Sequence, residues 1–105
     1  MGRNEEEIIV RVDSEIEDLV PGYLENRRKD IITIRSALEH SDFDTIRVIG
    51  HSMKGSGGGY GFDKITEIGN SIELAAKESN HKNIVKFLDE LWVYLERIVI
   101  VYEEV

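Results

Sequence analysis

Apolar residues in this chain recur mostly at intervals of three and four, the spacing of one face of an α-helix, and polar positions fall between them. Tyr23, Leu24, Ile31, Ile34 and Leu38 make a first such stripe, with Arg27, Arg28, Lys29 and Asp30 interrupting it on the other side. Phe43, Ile46, Ile49 and Met53 make a second, and Ile65, Ile68, Ile72 and Ala76 a third. In the last segment Ile84, Leu88, Leu91, Leu95, Ile98 and Tyr102 alternate spacings of four and three, the seam of a helix packed lengthwise on neighbours. Start signals agree with this division. Ser14 with Glu17, and Ser41 with Asp44, have capping-box spacing, Pro21 suits a helical first turn, and Asp63 suits an N-cap. Glycines from Gly57 to Gly61 close the second helix, and Ser79, Asn80 and His81 make the next loop.

Four long helices with short connections pack most simply as antiparallel neighbours. The expected fold is therefore all-α: an up-and-down four-helix bundle over residues 14–105, with a short helix at about 15–20 leading into the first long one at about 21–40. Glu5 to Val12, a Glu run followed by β-branched residues, suits a frayed arm or a short strand with no evident partner. Residues 1–13 are read as a flexible acidic arm.

With 105 residues the chain has the length of one domain. Its 13 Lys and Arg against 21 Asp and Glu give a net charge of −8, which argues against nucleic acid or an anionic membrane as partner. No apolar run is long enough for a membrane span. Zero cysteines exclude disulfides, thiolate metal sites and thiol catalysis, and fit a cytoplasmic setting.

The chemistry is concentrated in His51-Ser52-Met53-Lys54-Gly55-Ser56-Gly57-Gly58-Gly59-Tyr60-Gly61-Phe62. A glycine inside a helix costs roughly 1 kcal/mol relative to Ala, so this run needs a compensating reason. At roughly 100° per residue, His51 falls about 140° from Ile46, which turns it away from the apolar stripe and towards solvent. Lys54, Gly55 and Gly58 lie on the same side, giving an exposed imidazole beside one cation on a face nearly bare of side chains. A neutral imidazole has a ring-nitrogen lone pair at neutral pH and accepts a phosphoryl group without a separate base. A lysine one turn away screens the roughly dianionic product.

This stretch resembles the signature of histidine phosphotransfer (HPt) domains, His-x-x-Lys-Gly followed by a glycine-rich turn and a Gly-hydrophobic pair. Leu19-Val20-Pro21-Gly22-Tyr23-Leu24, Asp42-Phe43 and Ile72-Glu73-Leu74-Ala75-Ala76 also resemble the family pattern, so the likeness spans roughly residues 15–100. It implies that His51 is the phosphoacceptor, that Lys54 stabilises the phosphate, and that Gly55 lets a response-regulator receiver domain approach, with Gly58 on the same bare face read as part of the docking surface. Gly61 is then the turn after the site helix. The family commonly has Ala before the His, where this chain has Gly50.

On this reading the protein is a phosphorelay intermediate exchanging a phosphoryl group with a receiver aspartate. It is a carrier rather than an enzyme, monomeric, with no cofactor or metal of its own and with Mg2+ on the partner receiver domain. A chemotaxis-type histidine kinase is an alternative donor, and the chain is either free-standing or a segment of a larger sensor kinase. Two other classes compete: a helical adaptor that binds partners without phosphorylation, and a small enzyme using His51 in its own pocket. Against the enzyme stands the expectation that no Asp, Glu or Ser is placed to orient His51.

The remaining signals have simpler readings. No phosphate-binding glycine motif is complete in the glycine run. His40 and His81 read as surface or capping residues, Phe87, Trp92, Tyr94 and Tyr102 as core or core edge, and Arg27-Arg28-Lys29 as a solvated face.

Overall fold

The computed structural model describes residues 6–104. Four helices follow one another: α1 (Val20–Glu39), α2 (Phe43–Ser56), α3 (Asp63–Lys77) and α4 (His81–Arg97). Each packs on its sequence neighbours, and α1 also meets α4, which closes the four-helix bundle.

The apolar stripes meet at its centre. Ile34, Ile46, Met53, Phe62, Ile65, Ile72, Ile84, Leu88 and Leu91 are wholly buried, with Phe43 and Ile49 packed partly buried against them. Burying a Leu, Ile, Met or Phe side chain contributes about 1.5–3 kcal/mol, so this cluster is the main source of the fold's stability.

The helix starts differ from the capping-box reading by one residue. At α2 the cap is Asp42, whose side chain accepts the Thr45 N–H at 3.2 Å and the Thr45 hydroxyl at 2.6 Å. Ser41 instead ends α1: it adopts a left-handed φ of 53°, and the Asp42 N–H returns to the Ala37 carbonyl at 2.9 Å. At the N-terminus Asp13, not Ser14, accepts the Glu15 N–H at 2.9 Å, and Ser14–Leu19 is a 3-10 helix leading into α1. Asp63 is the first residue of α3 rather than its cap.

Two expectations are corrected at the chain ends. Ile8–Asp13 is not an arm but a strand, β1, and the last helix stops at Arg97, where Ile98–Glu103 continues as a second strand, β2. They pair in parallel, Ile8 with Ile98 through Asp13 with Glu103, so β1 belongs to the same fold as the bundle. The remainder of the acidic arm, residues 1–5, lies outside the described residues. Even spacing explains the misreading of Ile98 and Tyr102. Positions four apart share a face in a strand as well as in a helix, and the run Ile98-Val99-Ile100-Val101 is β-branched throughout, which favours extended backbone. Val10, Ile98, Ile100 and Tyr102 turn partly inward around the buried Val12.

Two side-chain readings also change. Trp92 is 49% exposed rather than core, whereas Tyr94 is buried and Phe87 half-buried. Arg27 and Arg28 are tied down rather than simply solvated: Arg27 lies over the Tyr23 ring at 4.5 Å and pairs with Asp30 at 2.8 Å. Arg28 donates to the Leu95 carbonyl at 3.4 Å, joining α1 to α4.

Candidate phosphotransfer site

His51 lies in the third turn of α2, and the stripe that buries Ile46 and Met53 leaves it outside, its side chain 70% exposed. Gly55, one turn on, is bare: a Cβ there would find nothing within 4 Å. Lys54 is half-exposed beside it. Gly58 is also exposed, and its N–H donates to Thr66 Oγ1 at 2.8 Å. The same hydroxyl donates to the Lys54 carbonyl at 3.0 Å, so Thr66 of α3 fastens the end of α2. Gly61 has φ +92°, a left-handed turn that suits glycine, and it sits against Val12 of β1. The turn is further pinned to α1, because the Tyr23 ring stacks on Tyr60 at 4.1 Å and its hydroxyl hydrogen-bonds Ser56 at 2.9 Å.

His51 does not stand alone. Across the α2–α3 contact, the carboxylate of Glu73 is buried, with Oε2 at 3.1 Å from His51 Nδ1. Lys54 Nζ is 3.6 Å from Oε1, and Lys77 Nζ is 3.8 Å from Oε2. Burial pushes the Glu73 carboxyl up, but the His51 hydrogen bond and the charges of Lys54, His51 and Lys77 outweigh it and hold the group below the usual carboxylate range. Glu73 is therefore ionised at neutral pH and can only accept. The ring nitrogen facing it is the donor, Nδ1–H, so a neutral imidazole carries its lone pair on Nε2. Among the described residues Oε1 makes no hydrogen bond, and the Lys54 ammonium is the cation paired with it.

The close contact has a visible cause. A Cβ on Gly50 would lie 2.8 Å from the Glu73 backbone nitrogen and 2.9 Å from the Gly69 carbonyl oxygen, and one on Gly69 would lie 2.5 Å from the Lys54 nitrogen. Two glycines facing each other bring α3 near enough for a short acidic side chain to reach the imidazole. The sequence reading that nothing orients His51 is thus corrected: the orienting group is an acid on α3. A signal existed, since Glu73 is the lone charge among Ile72, Leu74, Ala75 and Ala76, and Gly69 precedes it by one helical turn.

A family model for the Hpt domain matches residues 18–99. The chain belongs to the Hpt domain family. Neither the curated proteins nor the solved structures give a match. Hpt domains are phosphoryl-carrier modules of two-component signalling and work with kinase or receiver partners. The Hpt match spans the whole of α1 to α4 and leaves β1 and the last four of the six β2 residues outside it. Among the described residues no helix is long and apolar enough to cross a membrane, and no three His, Asp or Glu side chains gather as a metal site.

Proposed function

We propose that His51 carries the phosphoryl group and exchanges it with an aspartate of a response-regulator receiver domain. The observation that carries this reading is the Glu73–His51 hydrogen bond, which occupies Nδ1 from the buried side and leaves Nε2 free towards solvent. In the loading step the Nε2 lone pair forms the N–P bond as the P–O bond of the aspartyl phosphate breaks, and the aspartate leaves as a carboxylate with that electron pair. The positive charge left on the ring is met by Glu73 through Nδ1–H, and Lys54 balances the phosphoryl oxygens. The reverse step returns the group to a receiver.

Gly55 and Gly58 provide the bare surface on which the receiver seats, and Gly61 with Thr66 sets the turn beside it. Mg2+ belongs to the receiver, which also brings the groups that activate its aspartate; this chain, acting as a monomer in the cytoplasm, supplies a poised nucleophile and one cation.

The test is transfer from a receiver charged with a small phosphodonor in Mg2+, assayed as an acid-labile, base-stable phosphoryl group. The native chain is expected to take the label and His51→Gln to take none. Equal labelling of both means another residue carries the group. No labelling of either, across several receivers, leaves the adaptor as the better reading, and labelling only by an ATP-dependent kinase identifies the chemotaxis-type donor.

A further inference from the structure

Lys77, the last residue of α3, was not singled out by any motif, yet its ammonium lies 3.8 Å from the same Glu73 oxygen that accepts from His51. Lys54 approaches the other oxygen at 3.6 Å. Glu73 thus has one cation on each side while it accepts the hydrogen bond from His51 Nδ1. Among the described residues Glu73 pairs with His51 and Lys54 from α2 and Lys77 from its own helix, and with no other charged side chain.

The charges explain why one lysine is insufficient. With Glu73 negative and both lysines positive, the cluster sums to one positive charge before transfer. A phosphoryl group brings about −2 on its oxygens while the ring, keeping Nδ1–H, becomes positive, so the sum falls from one positive charge to about zero; without Lys77 it would run from zero to about −1. Lys54 cannot sit equally well against the carboxylate and the phosphate. Whichever it leaves is exposed to repulsion from the other, unless a second cation stays behind.

We propose that Lys77 is that second cation: a positioning residue that holds Glu73 in place on His51 Nδ1 while Lys54 turns to the phosphoryl group. This rests on the carrier reading of His51. Its position suits the task, because it is half-exposed, at the C-terminal end of a helix where a cation is favoured, and on the far side of Glu73 from the glycine face. It does not touch the phosphoryl group. It acts through Glu73 alone.

The 105-residue chain is labelled directly with phosphoramidate, so that no receiver surface enters the measurement, and Lys77→Met and Lys77→Arg are compared with the native chain. At low ionic strength Lys77→Met is expected to acquire label at His51 roughly two- to threefold more slowly, the size of one half-exposed charge interaction. The deficit shrinks as salt is raised towards about 1 M, where the screening length is about 3 Å, and Lys77→Arg restores the native rate. By carbon-13 NMR the Glu73 carboxyl titrates at higher pH in Lys77→Met than in the native chain and returns in Lys77→Arg. A Lys77→Met chain with the native rate and an unmoved Glu73 titration overturns the proposal, and so does a deficit that neither salt nor arginine changes. If His51→Gln is labelled as well as the native chain, the carrier reading fails first and takes this role with it; normal labelling at His51 with no effect at Lys77 removes only Lys77.

Discussion

Gly50 and Gly69 face each other across α2 and α3 so closely that a Cβ on either would sit within 3 Å of the other's carbonyl oxygen, and that proximity puts Glu73 within hydrogen-bond reach of His51. The pair is a structural device with a chemical consequence. A family-typical alanine at position 50 has no room here unless the helices separate.

Gly50→Ala is therefore expected to destabilise the fold although alanine is the better helix former. Overpacking costs about 1–3 kcal/mol, and improved helix propensity offsets roughly 1 kcal/mol of it. A net loss of up to about 2 kcal/mol in urea unfolding is expected, together with weakening of the His51–Glu73 bond in the imidazole nitrogen-15 spectrum. Unchanged stability with an unchanged spectrum would show that the helices accept the methyl group without moving.

Glu73 should also set part of the acid stability. Its folded carboxyl lies below the ordinary value of 4.5, so the native state binds that proton more weakly than the unfolded chain. The stabilisation is fully present above about pH 4.5 and is lost as pH falls through the lowered folded value. Comparing urea midpoints from pH 6 down to pH 3, the native chain should lose stability more steeply than Glu73→Gln. The same variant should slow labelling of His51 about tenfold, because a neutral amide answers the ring's developing charge less well than a carboxylate. Parallel acid profiles for the two proteins would contradict this account.

Thr66 offers a conservative test of the turn. Its hydroxyl accepts from Gly58 N–H and donates to the Lys54 carbonyl. Thr66→Val keeps the shape and removes both bonds, which should cost about 1–3 kcal/mol, whereas Thr66→Ser should recover most of it. Thermal unfolding of the three proteins decides the point, and a valine variant as stable as the serine one would show the bonds to be dispensable.

At the chain ends, a strand and an arm predict different mutational responses. Val12 is 2% exposed, so Val12→Ala should cost about 1.5–2.5 kcal/mol, while Arg11→Ala removes only an exposed ion pair with Glu103 and should cost under about 1 kcal/mol. An arm would show no effect at either position. Hydrogen exchange of the amides from Val10 to Val12 gives an independent check, since ladder bonds slow it and a free arm does not.

The four helices and their buried faces are legible in the sequence, because an interval of three or four residues translates directly into one side of a helix. Local geometry also puts His51, Lys54 and Gly55 on one exposed side, since all three lie within about one turn of α2; Gly58, expected on the same helix, instead opens the 3-10 turn Gly58–Tyr60 just past its end. Relations between residues distant along the chain depend on how the helices and strands pack. Glu73 is 22 residues from His51 and reaches it only because two glycines let α2 and α3 approach; Lys77 enters the same cluster by the next turn of α3. β1 and β2 are 90 residues apart in register, and neither strand is legible without its partner, because a short β-branched run is compatible with an arm, a helix end or a strand until pairing satisfies its backbone. Periodicity fixes faces; the distance between them is set by packing.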